Sequence, residues 1–88
     1  MKYNFVDAQE MHENNPDTFE APSIADLKKV NKGSFVKVCH NDERFWVKVT
    51  KVVEDKVYGI VYNKLICDQP FDLRDKIVFE KRHIYTTE

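Results

Sequence analysis

The chain has little glycine, little cysteine and no long apolar run, and each shortage excludes a class of structure. Its two glycines, Gly33 and Gly59, stand 26 residues apart, so no glycine-rich loop can cradle a phosphate group. Its two cysteines, Cys39 and Cys67, make neither a disulfide framework nor a zinc-finger spacing, and we interpret both as reduced thiols. No stretch approaches the roughly 18 apolar residues of a membrane-spanning helix, and no signal-peptide pattern opens the chain. We therefore expect a soluble cytoplasmic protein with no membrane partner.

The composition predicts one folded domain, residues 1–88, with a single modest core. Apolar residues make up 42% and charged residues 33%, which is typical of a globular chain rather than a disordered one. The charges divide unevenly, because residues 1–26 contain one base and six acids while residues 27–88 contain 13 bases and nine acids. Two oppositely charged parts of one domain attract each other. The net charge of −1 gives nucleic acid no strong general attraction.

The acidic N-terminal part, residues 1–32, is predicted to contain one or two short helices. The first follows the cap residue Asn4 and repeats its apolar positions at helical spacing, at Phe5, Ala8 and Met11. Ser23 and Asp26 form a capping-box pattern that predicts the start of a second helix, and Gly33 suits its end. Helices this short need a surface to pack on, so we expect both to dock on the rest of the domain.

Residues 33–85 alternate apolar and polar side chains, which is typical of antiparallel strands joined by short turns. We predict strands at residues 34–40, 44–53, 57–63 and 75–81, and either a turn or a fifth strand at residues 83–85. Residues 86–88 are predicted to be a tail that frays. The expected fold class is α+β: a strongly curled antiparallel sheet of four or five strands, SH3-like or a partly open barrel, with the N-terminal helices packed on it.

Trp46, the single tryptophan, lies on the face of the second predicted strand that also carries Arg44 and Lys48. We predict that the N-terminal helix covers this face, because burying so large a ring contributes a few kcal/mol at roughly 25 cal/mol per Å². The alternative leaves Trp46 exposed as an aromatic platform framed by Lys37, Arg44 and Lys48, an arrangement on which nucleic-acid bases stack. Removing a core tryptophan unfolds a domain, whereas removing a platform tryptophan leaves it folded.

Four short segments form a pattern that is similar to that of a known family. They are Lys32-Gly33, the strand ERFWVKV at 43–49, the strand GIVYN at 59–63 and DKIVF at 75–79. The chain resembles a family of small, mainly bacterial domains without an established function, which carry an ERxWV strand, a GxxxN strand and a later GDxV turn. The likeness spans residues 5–84 and implies a compact β-rich fold and no particular chemistry. Arg74 stands where the family tends to have glycine and Pro70 falls later than its proline, so residues 64–74 are expected to differ in shape.

No catalytic or metal site emerges from the residue pattern. Cys39 and His40 are adjacent in a strand and point to opposite faces, so they cannot easily bind one ion. The paired acids all fall in predicted turns, where solvated carboxylates are ordinary. Catalysis also needs a pocket that shifts pKa values, for which a sheet of this size has little room. We therefore predict no enzyme activity, no cofactor and no metal.

We predict a non-catalytic binding or adaptor module that acts through a protein partner or through self-association. Small sheets with a free edge pair readily with a partner strand or with a second copy. The candidate binding surface consists of Lys37, Arg44, Trp46, Lys48 and Phe71. Phe71 is expected near the surface, in the loop at residues 68–72. A weak nucleic-acid-binding module that uses the basic and aromatic face is the alternative, and its affinity would fall steeply with salt. A small enzyme is the third hypothesis.

Overall fold

The computed structural model of the chain describes residues 3–88 and combines short helices with one antiparallel sheet. In chain order its elements are α1 (Ala8–Asn14), α2 (Ile24–Lys28), β1 (Phe35–His40), β2 (Glu43–Val53), β3 (Lys56–Val61), β4 (Lys76–Glu80), a 3-10 helix (Lys81–His83) and β5 (Thr86–Thr87). The predicted α+β class is confirmed. The first four strands lie within two residues of their predicted bounds at each end.

The five strands form one sheet in the order β4-β3-β2-β1-β5, and every neighbouring pair is antiparallel. Within residues 3–88, β4 pairs only with β3 and β5 pairs only with β1, so the sheet is not closed. The predicted strong curl and barrel closure are therefore not confirmed. Thr86 and Thr87 form the fifth strand, so the prediction that they belong to a fraying tail is wrong. They pair with Lys37 and Val36 of β1.

Both helices begin at side-chain caps. Asp7, rather than the predicted Asn4, caps α1 by accepting a hydrogen bond from the backbone N–H three residues on, at 2.9 Å. Asp7 also forms an ion pair with Arg82, which ties α1 to the 3-10 helix. The predicted capping box of α2 is confirmed, since Ser23 and Asp26 each accept from the other's backbone N–H. Neither helix within residues 3–88 has the length and apolar character needed to cross a lipid bilayer.

One face of the sheet carries the hydrophobic core. The buried strand residues are Val36, Val38, Phe45, Val47, Val49, Val57, Val61, Ile77 and Phe79. Phe5, Val30 and Ile84 cover them, and the Phe5 ring lies 5.6 Å from that of Phe79 between centroids. The N-terminal part thus packs on the face of Phe45. The prediction that it covers the opposite face and buries Trp46 is wrong.

Phe71 belongs to this core, so its predicted place near the surface is also wrong. Its side chain is 3% exposed, and its ring centroid lies 5.0 Å from that of Tyr3 and 5.4 Å from that of Phe45. Burial of a ring of this size is a large favourable term in folding. Phe71 therefore contributes to stability and cannot present an anchor to a partner.

Glu43 anchors residues 66–69, the part of the loop that precedes the buried Phe71. Its side chain is 9% exposed and accepts hydrogen bonds from the N–H groups of Ile66 at 2.7 Å and Cys67 at 3.0 Å, and from the Gln69 amide at 3.2 Å. These donors, Ile66 first, hold the pKa of the Glu43 carboxyl below its ordinary value of 4.5. The expectation that the paired acids are solvated turn residues is therefore wrong for Glu43, which is buried at the start of β2. The structure instead makes it the anchor of residues 66–69.

Replacing Glu43 by glutamine is expected to remove a pH-dependent contribution to stability. A carboxyl whose pKa is lowered by folding stabilises the native state above its unfolded pKa, and that contribution is lost as the pH falls through the folded pKa. The difference in free energy of unfolding between wild type and Glu43→Gln should be constant above about pH 4.5 and should shrink below it. Urea denaturation over a pH series measures it, with the exposed Glu20→Gln as control. A difference that persists unchanged at low pH contradicts the assignment.

The connection from β3 to β4 contains the position at which the resembled family has glycine. Arg74 adopts φ 75°, a left-handed conformation that glycine adopts freely and that costs other residues about 1–2 kcal/mol. Its N–H donates to the Val61 carbonyl at 2.8 Å, and the Asp75 carboxylate accepts from the Asp72 N–H at 2.9 Å. These bonds hold the turn in place with an arginine at the glycine position.

Candidate functional site

The face of the sheet opposite the core carries basic and aromatic side chains, and we call it the open face. Cys39 of β1 lies on this face but is buried. The other members on strands β1 to β4 and at the residue after β3 are Phe35, Lys37, Arg44, Trp46, Lys48, Lys51, Val53, Lys56, Tyr58, Ile60, Tyr62, Lys76, Val78 and Glu80. All of these residues are half-buried or exposed. Cross-strand pairing places Lys37 beside Trp46, and Lys48 between Phe35 and Ile60. The side chains alternate along each strand, and a register shift between Val49 and Lys51 of β2 brings Lys51 to the same surface as Arg44, Trp46 and Lys48.

Cations lie over the aromatic rings of this face. The four pairs, with cation-to-centroid distances, are Lys37 over Trp46 at 4.8 Å, Arg44 over Tyr85 at 4.7 Å, Lys48 over Tyr62 at 5.9 Å and Lys51 over Tyr58 at 5.4 Å. Phe35 and Tyr62 also meet edge to face, with centroids 5.1 Å apart. Exposed cation–ring contacts are each worth about 0.5–1 kcal/mol. They hold the long basic side chains against the sheet and leave their charged groups in water.

The charge of the open face is strongly one-sided. Strands β1 to β4 contribute six bases to it, and Glu80 is the acid that they contribute. The whole chain has a net charge of −1, so the fold separates a positive sheet face from the acidic N-terminal part. A positive patch framed by rings attracts an anionic ligand at short range.

Tyr85 closes the open face at its β5 end. The ring of Tyr85 lies beneath the Arg44 guanidinium and contacts the ring of Phe19, 5.1 Å away between centroids. Burial raises the pKa of Tyr85 to about 12, and burial also raises the pKa of the neighbouring Cys39 thiol above its ordinary value of 9.0. Both groups are therefore neutral near pH 7.

The structure brings together four of the five residues that the sequence singled out. Lys37, Arg44, Trp46 and Lys48 share the open face, while Phe71 lies in the core behind the sheet. Sequence reasoning missed Tyr58 and Tyr62 as members of the surface. The signal that could have found them is the alternation of side chains along the third predicted strand, which puts both tyrosines on one face. Tyr62 is 50% exposed.

Asn63 fixes the backbone of the surface at its centre. Its side-chain oxygen accepts a hydrogen bond from the backbone N–H of Trp46 at 2.6 Å, just beyond the end of β3. The bond satisfies a donor that the strand ladder leaves unpaired at this point. It also positions Trp46, whose half-buried ring lies under the Lys37 ammonium.

Other site types find little support in the described part of the chain. Residues 3–88 contain no group of three or more His, Cys, Asp or Glu side chains arranged to hold a metal ion. Comparison of the chain with protein-family models, curated proteins and solved structures finds no match. The family resemblance thus stays a prediction, and the open face is the candidate site.

Proposed function

We propose that the protein is a non-catalytic binding module whose open face binds an acidic segment of a protein partner. The observation that carries this proposal is the set of four cation–ring pairs on the open face. Carboxylates of a partner would meet the ammonium and guanidinium groups, and apolar parts of the partner would pack on the rings between them. The same proposal includes an adaptor role inside the cell. It also includes a likeness to SH3-like small barrels, which rests on topology alone.

The aromatic residues of the open face favour a protein ligand. Interface residues that contribute most to binding are enriched in Trp, Tyr and Arg. Trp46, Tyr62 and Arg44 lie on neighbouring positions of β2 and at the end of β3, where a ligand can contact all three. Half-buried rings are already ordered before binding, so little side-chain entropy is lost when a partner covers them.

Nucleic acid is the second candidate, and the cation–ring pairs weigh against it. Base stacking needs a free ring face, but Lys37 and Lys48 lie over the rings of Trp46 and Tyr62. Displacing each cation costs about 0.5–1 kcal/mol. An ammonium group has three donors, so it can bind a carboxylate without leaving the ring.

An amide NMR titration with an acidic peptide tests the proposal. The probe is a peptide of glutamate and phenylalanine with prolines between them, because prolines prevent it from pairing as a strand. We expect shifts at Lys37, Trp46, Lys48 and Tyr62 that persist at moderate salt. The double variant Lys37→Glu, Lys48→Glu should weaken binding roughly tenfold or more, since attraction becomes repulsion.

The matched control is Lys29→Glu, Lys32→Glu, which changes the net charge equally at two exposed lysines outside the open face. It should bind the peptide nearly as well as wild type. Equal weakening in both double variants would mean that net charge alone drives binding and would overturn the proposed surface. Shifts of the same residues with mixed DNA or RNA oligonucleotides, without any response to the peptide, would establish the nucleic-acid alternative instead.

A further inference from the structure

Strand β4 forms an edge of the sheet with unpaired backbone groups. The backbone bonds at the two ends of its ladder run from Val61 N–H to the Asp75 carbonyl at 3.0 Å and from Lys81 N–H to the Asp55 carbonyl at 2.9 Å. Because bonded and non-bonded pairs alternate in antiparallel ladders, the backbone groups of Lys76 and Val78 point away from β3. Within residues 3–88 no strand pairs with that side.

The two edges of the sheet are protected to different degrees. The edge at β5 consists of two threonines, and very short edge strands resist pairing. The edge at β4 is five residues long, contains the apolar run Ile77-Val78-Phe79, and has neither a proline nor an irregularity in its register. Natural proteins usually blunt an edge of this kind with a proline, a bulge or charges. Lys76 and Glu80 place charges at the two ends of β4, but their opposite signs can pair with those of an antiparallel partner strand.

The sequence of β4 is complementary to itself in antiparallel pairing. When two copies of β4 align about Val78, Lys76 of one copy lies opposite Glu80 of the other, and the reverse pair forms at the other end. The outward-pointing groups of Val78 then pair across the axis, as do the Lys76 N–H and the Glu80 carbonyl. The Glu80 N–H already donates to His83 Nδ1 at 3.0 Å, so the pairing of the two copies does not use it.

We propose that the protein forms a symmetric dimer in which the β4 strands of two copies pair edge to edge and join two sheets into one. The strand that pairs with this edge is β4 of a second copy of the chain, and the opposite charges of Lys76 and Glu80 favour that partner. Pairing of this kind is isologous, so one surface patch serves both subunits. The two open faces become one continuous surface. The proposal goes beyond the proposed function and does not depend on the acidic ligand.

The dimer should be weak, because a five-residue edge buries little area compared with the roughly 1,200–2,000 Å² of standard interfaces. Sedimentation of the purified chain should therefore show a mass that rises with concentration. In amide NMR spectra, dilution should shift the resonances of Lys76, Val78 and Glu80. These shifts locate the contact independently of any substitution.

Charge exchange at the edge provides the deciding test. Lys76→Glu places two glutamates opposite each other, and Glu80→Lys places two lysines opposite each other, so each should weaken dimerisation roughly tenfold or more. The double variant Lys76→Glu, Glu80→Lys restores opposite charges and should dimerise like wild type. Thermal unfolding of all three verifies that they are folded.

Val78→Pro supplies a test of the backbone contact. The substitution removes an N–H that points away from β3. Edge strands tolerate proline at such a position, so the variant should be a folded monomer. A wild-type chain that stays monomeric at all concentrations overturns the proposal. So does a dimer in which the double variant fails to recover what each single variant loses. The glutamate and phenylalanine peptide is then titrated onto the monomeric Val78→Pro chain, so that loss of dimerisation and loss of ligand binding are read separately.

Discussion

Gly59→Ala is expected to destabilise the protein by about 1–3 kcal/mol or more, the usual cost of overpacking a well-packed site. A Cβ atom at Gly59 would overlap Cγ1 of Val47 and would lie 2.8 Å from the backbone oxygen of Lys48. The Lys48 oxygen cannot retreat easily, because β2 is paired on one side with β1 and on the other with β3. The substitution therefore pushes β2 and β3 apart in the middle of the sheet.

Chemical denaturation followed by Trp46 fluorescence measures this loss. Gly33→Asn is the comparison, since Gly33 has φ 94° and nothing lies within 4 Å of a Cβ built there. Asparagine tolerates positive φ better than most residues, so this change should cost less than Gly59→Ala. If Gly59→Ala proves as stable as wild type, the close approach of the two strands is contradicted.

Phe71→Ala is expected to cost about 3–5 kcal/mol, as large-to-small changes of buried aromatic residues do. Such a loss is a large share of the roughly 5–15 kcal/mol that stabilises a typical domain. The ring is 3% exposed and packs against Phe5, Phe45 and Tyr3. Its removal leaves a cavity in the core beneath the loop that Glu43 holds.

Ile66→Ala is the matched control in the same loop, because Ile66 is 93% exposed and its backbone N–H is bonded to Glu43. It should change the free energy of unfolding by less than about 0.5 kcal/mol. The two variants thus separate a core residue from a surface residue only five positions away. Equal and small effects would instead support the sequence-based expectation of a surface-exposed Phe71.

The hairpins and the cap of α2 were predictable because they depend on neighbours in the sequence. Alternation of side chains identified β1 to β4, and Ser23 with Asp26 identified the start of α2. The turn between β1 and β2 was predictable for the same reason. Asn41 and Asp42 both adopt positive φ, 51° and 65°, which a tight two-residue hairpin turn requires and which these two residue types tolerate.

The open face was only half predictable. The period of two determines that Lys37, Arg44, Trp46 and Lys48 share a side of the sheet, and the structure confirms that grouping. It does not determine which side the N-terminal helix covers, because both sides contain large apolar residues. Contacts of Phe5 with Phe45 and Phe79, distant in sequence, decide that question.

The sequence by itself therefore determined strands β1 to β4 and the shared face of Lys37, Arg44, Trp46 and Lys48, since these follow from local geometry and from the alternation of side chains. Only the tertiary structure decided what covers each face, why Glu43 and Phe71 are buried, and where Thr86 and Thr87 pair. The reason is physical: burial and long-range hydrogen bonds depend on which segments meet in space. A residue such as Glu43 carries no local sign that distant N–H groups will reach it.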